Sequence, residues 1–222
     1  MRQPLAKRVV AEALGTFFLL AAIVGSGIMA ERLANGNSAL ALLANTAATG
    51  SVVALIISFA PVSGAHFNPV VTLSFSLRRD LPWSEVPFYW VAQLAGGIGG
   101  VVAANVMFGL PAVFLSHHTR TRMAQLFSEF IATLGLLSVI LAASRSTIVV
   151  VAIAVGAYIS SAYWFTASTS FANPAVTLAR SLSDTFTGIR PVDAPGFVVA
   201  QLAACIVTTI LFRWLMPGRD NE

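Results

Sequence analysis

The chain has 222 residues, of which 57% are apolar and only 10% are charged. Because a soluble domain normally carries about 25% charged residues, this composition excludes an ordinary soluble protein. The formal net charge is +4, and the basic residues form no patch that would bind nucleic acid.

Six apolar runs follow one another along the chain, and each is close to the roughly 20 residues that a transmembrane helix needs. Backbone polar groups in lipid must be hydrogen-bonded within the protein, so the runs predict an all-α membrane protein with one domain over residues 1–222. The basic N-terminus could also be read as a secretory signal, but the first run is too long and contains Glu12. The six runs cover residues 9–30, 39–60, 86–108, 123–143, 147–166 and 196–216.

The basic residues predict the orientation in the membrane. With a cytoplasmic N-terminus, eight basic residues lie inside and five outside, an excess that follows the positive-inside rule. We therefore expect a multi-pass protein of the cell membrane, as in a bacterial inner membrane, with both termini in the cytoplasm. The expected inside residues are Arg2, Lys7, Arg8, Arg78, Arg79, Arg145, Arg213 and Arg219, and the expected outside residues are Arg32, Arg120, Arg122, Arg180 and Arg190.

Two shorter apolar segments begin with Asn-Pro, at Asn68-Pro69-Val70 and at Asn173-Pro174-Ala175. Proline fits the first position of a helix and asparagine is a good N-cap, so each pair predicts a helix that begins inside the membrane. A segment of about ten residues rises ~15 Å, which is half of a ~30 Å hydrocarbon core. Two such half-helices would meet by their N-termini at the midplane.

The order of landmarks is the same in the two halves of the chain, about 1–115 and 116–222. Glu12 in the first span corresponds to Glu129 in the fourth, and the sequence Val-Ala-Gln-Leu-Ala occurs at 91–95 and at 199–203. Three spans separate the two Asn-Pro motifs, so the second enters from the opposite face. Interrupted segments at matching places in such an inverted repeat indicate the conduction site.

Three properties of this junction favour neutral polar solutes. Each helix N-terminus carries roughly +0.5 of an elementary charge, which disfavours cations. The asparagine amides can donate hydrogen bonds to a solute. The irregular segments 61–67 and 167–172 are tolerable at this depth only beside a cavity or packed protein, where their carbonyl oxygens become acceptors.

The segment Ser63-Gly64-Ala65-His66-Phe67-Asn68-Pro69, the second Asn-Pro-Ala motif and the duplicated Glu and Ala-Gln-Leu landmarks resemble the major intrinsic protein family, the aquaporins and aquaglyceroporins. The resemblance covers nearly the whole chain. It implies a right-handed bundle of six transmembrane helices plus two re-entrant half-helices, and a homotetramer with one pore per subunit. No nucleophile triad, metal cluster or phosphate loop predicts an enzyme, and we expect no cofactor and no metal.

The selectivity filter that the resemblance implies departs from the usual family pattern. Members usually read Asn-Pro-Ala-Arg in the second motif, and that arginine lines the narrowest part of the pore; here the position is Val176. In the family the helix-five and loop positions of the filter lie fifteen and six residues before the arginine, so the resemblance implies Ser161 and Ser170 as two further filter residues. The helix-two position usually precedes a glycine, which suggests Thr49, with Ala48 as the alternative.

A filter of Thr49, Ser161, Ser170 and Val176 contains no aromatic ring, no histidine and no cation. We therefore expect a wide pore for water and small uncharged solutes. Valine in place of the arginine resembles aquaglyceroporins associated with bacterial arsenic detoxification, which implies glycerol-like polyols, arsenite and methylated arsenicals as solutes. The alternatives are a water-only aquaporin, a proton-coupled secondary transporter and a structural junction protein of the same fold.

The remaining candidate residues support or flank the pore. Glu12 and Glu129 are expected to accept hydrogen bonds from the pore loops, with a proton relay as the alternative. His66 is expected to brace its loop and to contribute to the pore wall, or to act as a gate. Arg180 follows Val176 by one helical turn and either places a cation in the outer vestibule or, as the favoured alternative, pairs with Asp184. Val70 replaces the usual alanine of the first motif and either narrows the pore or repacks beside it.

Overall fold

The computed structural model of the protein describes residues 2–216, and every regular element in this range is helical. The helices are named in chain order, and a short 3₁₀ turn, Trp83–Glu85, precedes the fifth. They are α1 (Leu5–Leu33), α2 (Ser38–Asn45), α3 (Ala48–Ser63), α4 (Pro69–Leu77), α5 (Val86–Met107), α6 (Met123–Ala143), α7 (Ile148–Phe165), α8 (Pro174–Arg180) and α9 (Ala194–Leu215).

Six helical segments of this range are long and apolar enough to cross a membrane, which confirms the six predicted spans. α2 and α3 together form the second of them, Ser38–Ser63. α1 extends beyond the first apolar run because its basic first turns are stabilised in place. The guanidinium of Arg8 donates to both carboxylate oxygens of Glu85 at 2.7 Å, so this charge is paired with the 3₁₀ turn that precedes α5.

The second span is interrupted between α2 and α3, at residues 46–47. The side-chain amide of Asn45 donates to the carbonyl of Ile23 and to the hydroxyl of Ser26, both at 2.9 Å. The hydroxyl of Thr46 donates back to the carbonyl of Leu43. Polar side chains that bond the backbone in this way compete with the helical ladder, which accounts for the break.

The spans alternate in direction, so the start of α1 and the end of α9 lie on one side of the bundle, which we call the terminal side. Arg213 of α9 donates to the carbonyl of Leu77 at the end of α4, which places the end of that half-helix on the same side. The opposite side, here the loop side, carries the connections 108–122 and 181–193. Arg219, one of the expected inside residues, lies outside the described residues.

The tight packing of α1 against α5 depends on glycines. A Cβ atom at Gly96 would lie 2.2 Å from the carbonyl oxygen of Ala13, and one at Gly100 would lie 2.2 Å from that of Phe17. No side chain larger than hydrogen fits at either place without moving a helix backbone.

α4 and α8 are the two predicted half-helices, and each begins at the proline of an Asn-Pro pair. They contain nine and seven residues, which correspond to rises of about 14 and 10 Å. In each helix the asparagine is the N-cap, because its side-chain oxygen accepts a hydrogen bond from the second helical residue. These bonds measure 3.1 Å from Asn68 to the N–H of Val70 and 2.9 Å from Asn173 to the N–H of Ala175.

Candidate pore and its selectivity region

A cavity of about 330 Å³ lies between the half-helices and the walls formed by α1, α3, α6 and α7. It reaches from the α6–α7 connection on the terminal side to Arg180 on the loop side, and we call it the lumen. Its walls are mostly aliphatic, and both N-cap asparagines belong to its lining. Six lining residues bear on selectivity, namely His66, Phe75, Tyr163, Phe171, Val176 and Arg180.

The two asparagine side chains join the half-helices at their N-termini. The amide of Asn68 donates to the carbonyl of Ala172 at 2.8 Å, and the amide of Asn173 donates to the carbonyl of Phe67 at 2.9 Å. Each amide therefore bonds the residue that precedes the other asparagine. Since an amide nitrogen carries two N–H groups, one remains for a solute at this point of the lumen.

The loops before the half-helices share an unusual backbone. Ala65 and Phe67 have positive φ angles of 52° and 48°, and the matching residues of the second loop, Ser170 and Ala172, have 53° and 48°. Residues other than glycine seldom adopt this left-handed conformation, and each such residue costs of order 1–3 kcal/mol unless its surroundings hold it.

Glu12 holds the first loop from behind. Its carboxylate accepts the backbone N–H groups of His66 at 2.9 Å and Phe67 at 2.7 Å, together with the hydroxyl of Ser63 at 2.7 Å. The amide of Gln93 completes the set at 2.8 Å. Because these N–H groups point away from the lumen toward a fully buried carboxylate, the loop has its carbonyl oxygens left for the lumen side.

Glu129 holds the second loop in the same way. It accepts the backbone N–H groups of Phe171 and Ala172, both at 2.8 Å, and the amide of Gln201 at 2.7 Å. Gln201 also donates to the hydroxyl of Thr177 in α8 at 2.9 Å. The corresponding contact of the first half runs from Gln93 to Thr72 in α4, also at 2.9 Å, so the support of the two loops is duplicated in detail.

The lumen faces of α4 and α8 are also related position by position. The third residue after each asparagine is a valine, Val71 or Val176, and both line the lumen. The seventh residue is Phe75 in α4 and Arg180 in α8, and both again line the lumen. The two half-helices therefore have the same aliphatic residue near the junction and different residues at their outer ends.

Each outer residue packs against a residue of its own loop, two positions before the asparagine. The rings of Phe75 and His66 lie 4.7 Å apart on the terminal side. On the loop side the guanidinium carbon of Arg180 lies 3.5 Å from the centre of the Phe171 ring. His66 is further fixed by its ring nitrogen Nδ1, which lies 3.1 Å from the hydroxyl of Thr72.

Two of the four predicted filter residues, Ser170 and Val176, belong to the lumen lining. The placement of Ser161 in the pore wall is wrong: Ser161 is not part of the lumen lining, and its hydroxyl donates to the carbonyl of Tyr158. α7 turns Val155, Ile159 and Tyr163 to the lumen in steps of four residues. A residue two positions from Ile159 is rotated by about 200° and must point away.

Thr49 is buried beside the lumen and is not part of its lining. Its hydroxyl lies 2.6 Å from that of Ser160 in α7, so it joins two wall helices. α3 turns Val52 and Ile56 to the lumen. One turn before Val52 on this face is the alternative residue, Ala48, which is also buried and outside the lining.

Val70 does not narrow the lumen, so this alternative of the prediction is wrong. Its side chain is fully buried against Leu137 and Cys205, and the Cys205 thiol donates to its backbone carbonyl at 3.2 Å. The larger side chain is accommodated by packing behind α4. Three other motif residues, Pro69, Pro174 and Ala175, form the helix starts without entering the lining.

Arg180 does not pair with Asp184, so the favoured alternative for this residue is also wrong. The Nε group of Arg180 donates to the carbonyl of Thr187. Asp184 accepts instead from the backbone N–H and the ring of His117, both at 2.8 Å. These two bonds lower the pKa of the Asp184 carboxyl below its ordinary value.

Three residues at the loop-side mouth were missed by the sequence analysis, namely Tyr163, Phe171 and Arg120. Arg120 reaches in from the 108–122 connection, donates to the carbonyls of Ser168 and Gly188, and lies 4.9 Å from the centre of the Phe171 ring. Burial lowers the pKa of Arg120 to about 10, so it remains a cation at neutral pH. Tyr163 could have been found by following the lumen face of α7 in steps of four residues.

The lumen offers neutral hydrogen-bonding groups at its centre and no built-in metal centre. Within residues 2–216, no group of three or more His, Cys, Asp or Glu side chains is placed to hold a metal ion. The groups at the junction are amides and backbone carbonyls, which can exchange hydrogen bonds with water or a hydroxyl group. This chemistry suits passage of an uncharged polar molecule.

Comparison with known proteins agrees with this geometry. The major intrinsic protein family matches residues 1–147. Aquaglyceroporin AqpS of Rhizobium meliloti (strain 1021) is 52% identical over 217 residues, which cover 97% of this chain and 93% of that protein. Aquaporin NIP2-2 of Zea mays is 32% identical over 227 residues, covering 98% of this chain and 76% of that protein.

A solved structure shows the same fold. The X-ray structure of the aquaglyceroporin from Plasmodium falciparum superimposes with a TM-score of 0.74 at 23% identity, over 99% of this chain and 100% of that one. The predicted family and the predicted architecture of six spanning helices are thereby confirmed. The chain belongs to the major intrinsic protein family and is accordingly a passive membrane channel for water and small solutes, not an enzyme.

Proposed function

We propose that this channel conducts small uncharged polar solutes of a range of sizes, namely water, glycerol-like polyols, undissociated arsenite and methylated arsenicals. The observation that carries the proposal is Val176, an aliphatic side chain in the lumen lining three residues after Asn173. A valine at this place neither fills the space that a guanidinium would occupy nor adds a fixed charge. Bulkier and less polar neutral molecules therefore meet a lower barrier there.

The rest of the lumen supports the same solute class. The amides of Asn68 and Asn173 replace part of the hydration of a hydroxyl group at the junction, and the mostly aliphatic walls tolerate apolar parts of a solute. A hydroxylated molecule without charge can use both surfaces at once. The name of the relative from Rhizobium meliloti, an aquaglyceroporin, agrees with a solute range beyond water.

A proton-coupled carrier fits the buried carboxylates less well. Glu12 accepts four hydrogen bonds and Glu129 accepts three, and most of the donors are backbone or amide groups of the pore loops. Proton exchange at either residue would break the contacts that hold the strained loops. These residues therefore act as loop supports in the proposed mechanism.

The proposal is tested by reconstituting the purified chain in vesicles and measuring stopped-flow light scattering with water, glycerol and arsenite on one preparation. Flux of all three above empty vesicles, linear in the solute gradient, is the expected result. Water flux without glycerol or arsenite flux would refute the proposed solute range. Flux that saturates and follows a proton gradient would favour the carrier.

The assembly and the cellular setting are part of the same proposal. We propose a homotetramer of single-domain subunits, each with its own pore, in a cell membrane with both termini in the cytoplasm. The exposed aliphatic side chains on the outer faces of the spanning helices suit contact with lipid and with neighbouring subunits. Crosslinking in the membrane tests the subunit number, and protease access to each terminus tests the orientation.

A further inference from the structure

We infer that Arg180 adds a barrier against cations to that of the half-helix junction, acting one helical turn outside the position where Val176 provides no charge. The inference rests on the proposed channel function and adds a specificity-determining residue to it. Charge selection would then begin at the loop-side mouth, before the junction and apart from the size selection beside Val176.

The position of Arg180 on α8 carries the first part of the argument. It follows Val176 by four residues on the same helix face, so its backbone lies about 6 Å further along the axis. Both residues line the lumen. A solute that enters from the loop side therefore passes the Arg180 position of α8 before it reaches that of Val176.

The side chain is fixed in place although it lies in the lining. Arg180 is only 4% exposed, its Nε group donates to the carbonyl of Thr187, and its guanidinium stacks on Phe171. Among residues 2–216 no other protein acceptor is bonded to this guanidinium, so its Nη groups remain available on the lumen side. Such a group can donate hydrogen bonds to an uncharged oxygen while it repels a cation.

The charge of Arg180 is not neutralised by a carboxylate. Within the described part of the chain, no acidic side chain lies within 4.0 Å of its guanidinium. The acidic groups of this region are engaged elsewhere: Asp184 bonds His117, Asp193 bonds Arg190, and Glu129 accepts the N–H groups of its own pore loop. Arg120, on the same Phe171 ring, adds a second positive charge. Its guanidinium likewise has no carboxylate within 4.0 Å in this range, although its backbone N–H donates to Asp193.

Here the width of the passage and its charge are set by two different residues, Val176 and Arg180. A guanidinium at position 176 would both narrow the passage and place a positive charge in it. Here the cation lies along the wall, flat against an aromatic ring, and leaves the passage beside Val176 open. Because Arg180 is buried away from bulk water, its repulsion of an entering cation is only weakly screened by salt.

The test measures ion leak and neutral flux in the same vesicles. We compare the unmodified chain with Arg180→Gln, with the charge-preserving Arg180→Lys, and with Arg32→Gln, which removes an exposed arginine at the loop-side end of α1. Proton entry is followed with a trapped pH dye, potassium entry with a fluorescent indicator, and glycerol entry by light scattering.

The expected result is a rise of roughly tenfold or more in proton or potassium leak for Arg180→Gln alone, which corresponds to about 1.4 kcal/mol of lost barrier. Arg180→Lys and Arg32→Gln should show no increase in proton or potassium leak, and glycerol flux should persist in all four proteins. A leak in the unmodified chain, or an Arg180→Gln variant that carries glycerol without any leak, would overturn the inference. Absence of glycerol flux in the unmodified chain would instead refute the proposed function.

A second variant covers the case in which Arg180→Gln does not fold. Arg180→Cys is made together with Cys205→Ala, which removes the only other thiol of the chain. A cationic thiosulfonate reagent added after reconstitution should reduce the cation leak, whereas an anionic reagent of the same size should increase it. Equal effects of the two reagents would contradict a charge barrier at this position.

Discussion

Val176 and Arg180 lie one turn apart on the lumen face of α8, with the aliphatic residue nearer to the junction and the cation nearer to the mouth. The corresponding residues of α4 are Val71 and Phe75, so the two half-helices differ in charge only at their outer ends. The predicted effect of a substitution depends on whether it changes the residue near the junction or the residue near the mouth.

Val176→Arg should narrow the lumen beside the junction. We expect glycerol and arsenite flux to fall by roughly tenfold or more and water flux to fall less, because a larger solute needs the space that the guanidinium fills. Repulsion from Arg180 one turn away will also push the new side chain into the passage. Stopped-flow light scattering in vesicles measures all three fluxes.

Val176→Met is the matched control, since it adds length without a charge. It should reduce the flux of the larger solutes while leaving the ion leak unchanged. Equal fractional losses for water, glycerol and arsenite in Val176→Arg would contradict a role of this residue in size selection.

Asn173→Asp should weaken the junction between the half-helices. A carboxylate at this place cannot donate to the carbonyl of Phe67, and its charge would attract cations into the lumen. We expect a loss of about 1–3 kcal/mol in unfolding free energy, together with a new cation current. Thermal unfolding in detergent and current recordings in planar bilayers measure the two effects.

The matched control is Asn105→Asp in α5, where the amide also donates to backbone carbonyls but lies away from the lumen. It should lower stability without producing a current. Unchanged solute flux and zero cation current in Asn173→Asp would show that the amide does not select at the junction.

Glu129→Gln should destabilise the second pore loop. The amide group of glutamine would turn a donor toward one of the N–H groups of Phe171, Ala172 or Gln201, all of which need an acceptor. The cost is about 1–3 kcal/mol of unfolding free energy, and the left-handed residues of the loop lose their support. The midpoint of thermal unfolding and the glycerol flux should both fall.

Glu31→Gln provides the comparison, because Glu31 also accepts a backbone N–H, that of Phe186, but on the exposed loop side. Its unfolding midpoint should stay close to that of the unmodified chain. If the two variants unfold at the same temperature, the buried carboxylate does not have the supporting role that its contacts indicate.

Gly96→Ala should separate α1 from α5. The added methyl group would lie 2.2 Å from the carbonyl oxygen of Ala13, which is backbone and cannot rotate away. We expect a destabilisation of about 1–3 kcal/mol, measured as a lower unfolding midpoint in detergent.

Gly50→Ala is the control for helix propensity. Gly50 lies in α3 with open space around its Cβ position, so alanine should stabilise the helix by roughly 0.5–1 kcal/mol. If both variants raise or both lower the unfolding midpoint, the close approach of α1 and α5 does not restrict the size of the side chain at position 96.

The architecture was predictable because its signals are local. Hydropathy marks a span wherever it occurs, and an Asn-Pro pair fixes a helix start by the geometry of proline and the N-cap bond. The Asn-Pro pairs that begin at Asn68 and Asn173 were therefore enough to predict the start of both half-helices, because neither start depends on a contact with another part of the chain. The break between α2 and α3 was not predictable, since it depends on a contact of Asn45 with another helix.

The lining of the selectivity region was predicted less well because it depends on register across an irregular loop. Counting back from Val176 to α7 assumes a fixed path through residues 166–173, where three residues have positive φ angles. That assumption led to Ser161, whereas α7 turns Tyr163 toward the lumen. Arg120 was missed because nothing in its own segment indicates that a surface connection enters the mouth.

The exchange of amide bonds between Asn68 and Asn173 has a consequence for synthesis of the protein. Each bond joins partners more than a hundred residues apart, and each acceptor belongs to the opposite repeat. While the ribosome is still making the second repeat, the first re-entrant loop has no partner for its amide. The first repeat therefore stays incomplete until the second repeat has been synthesised, and the lumen forms only when the two re-entrant loops meet.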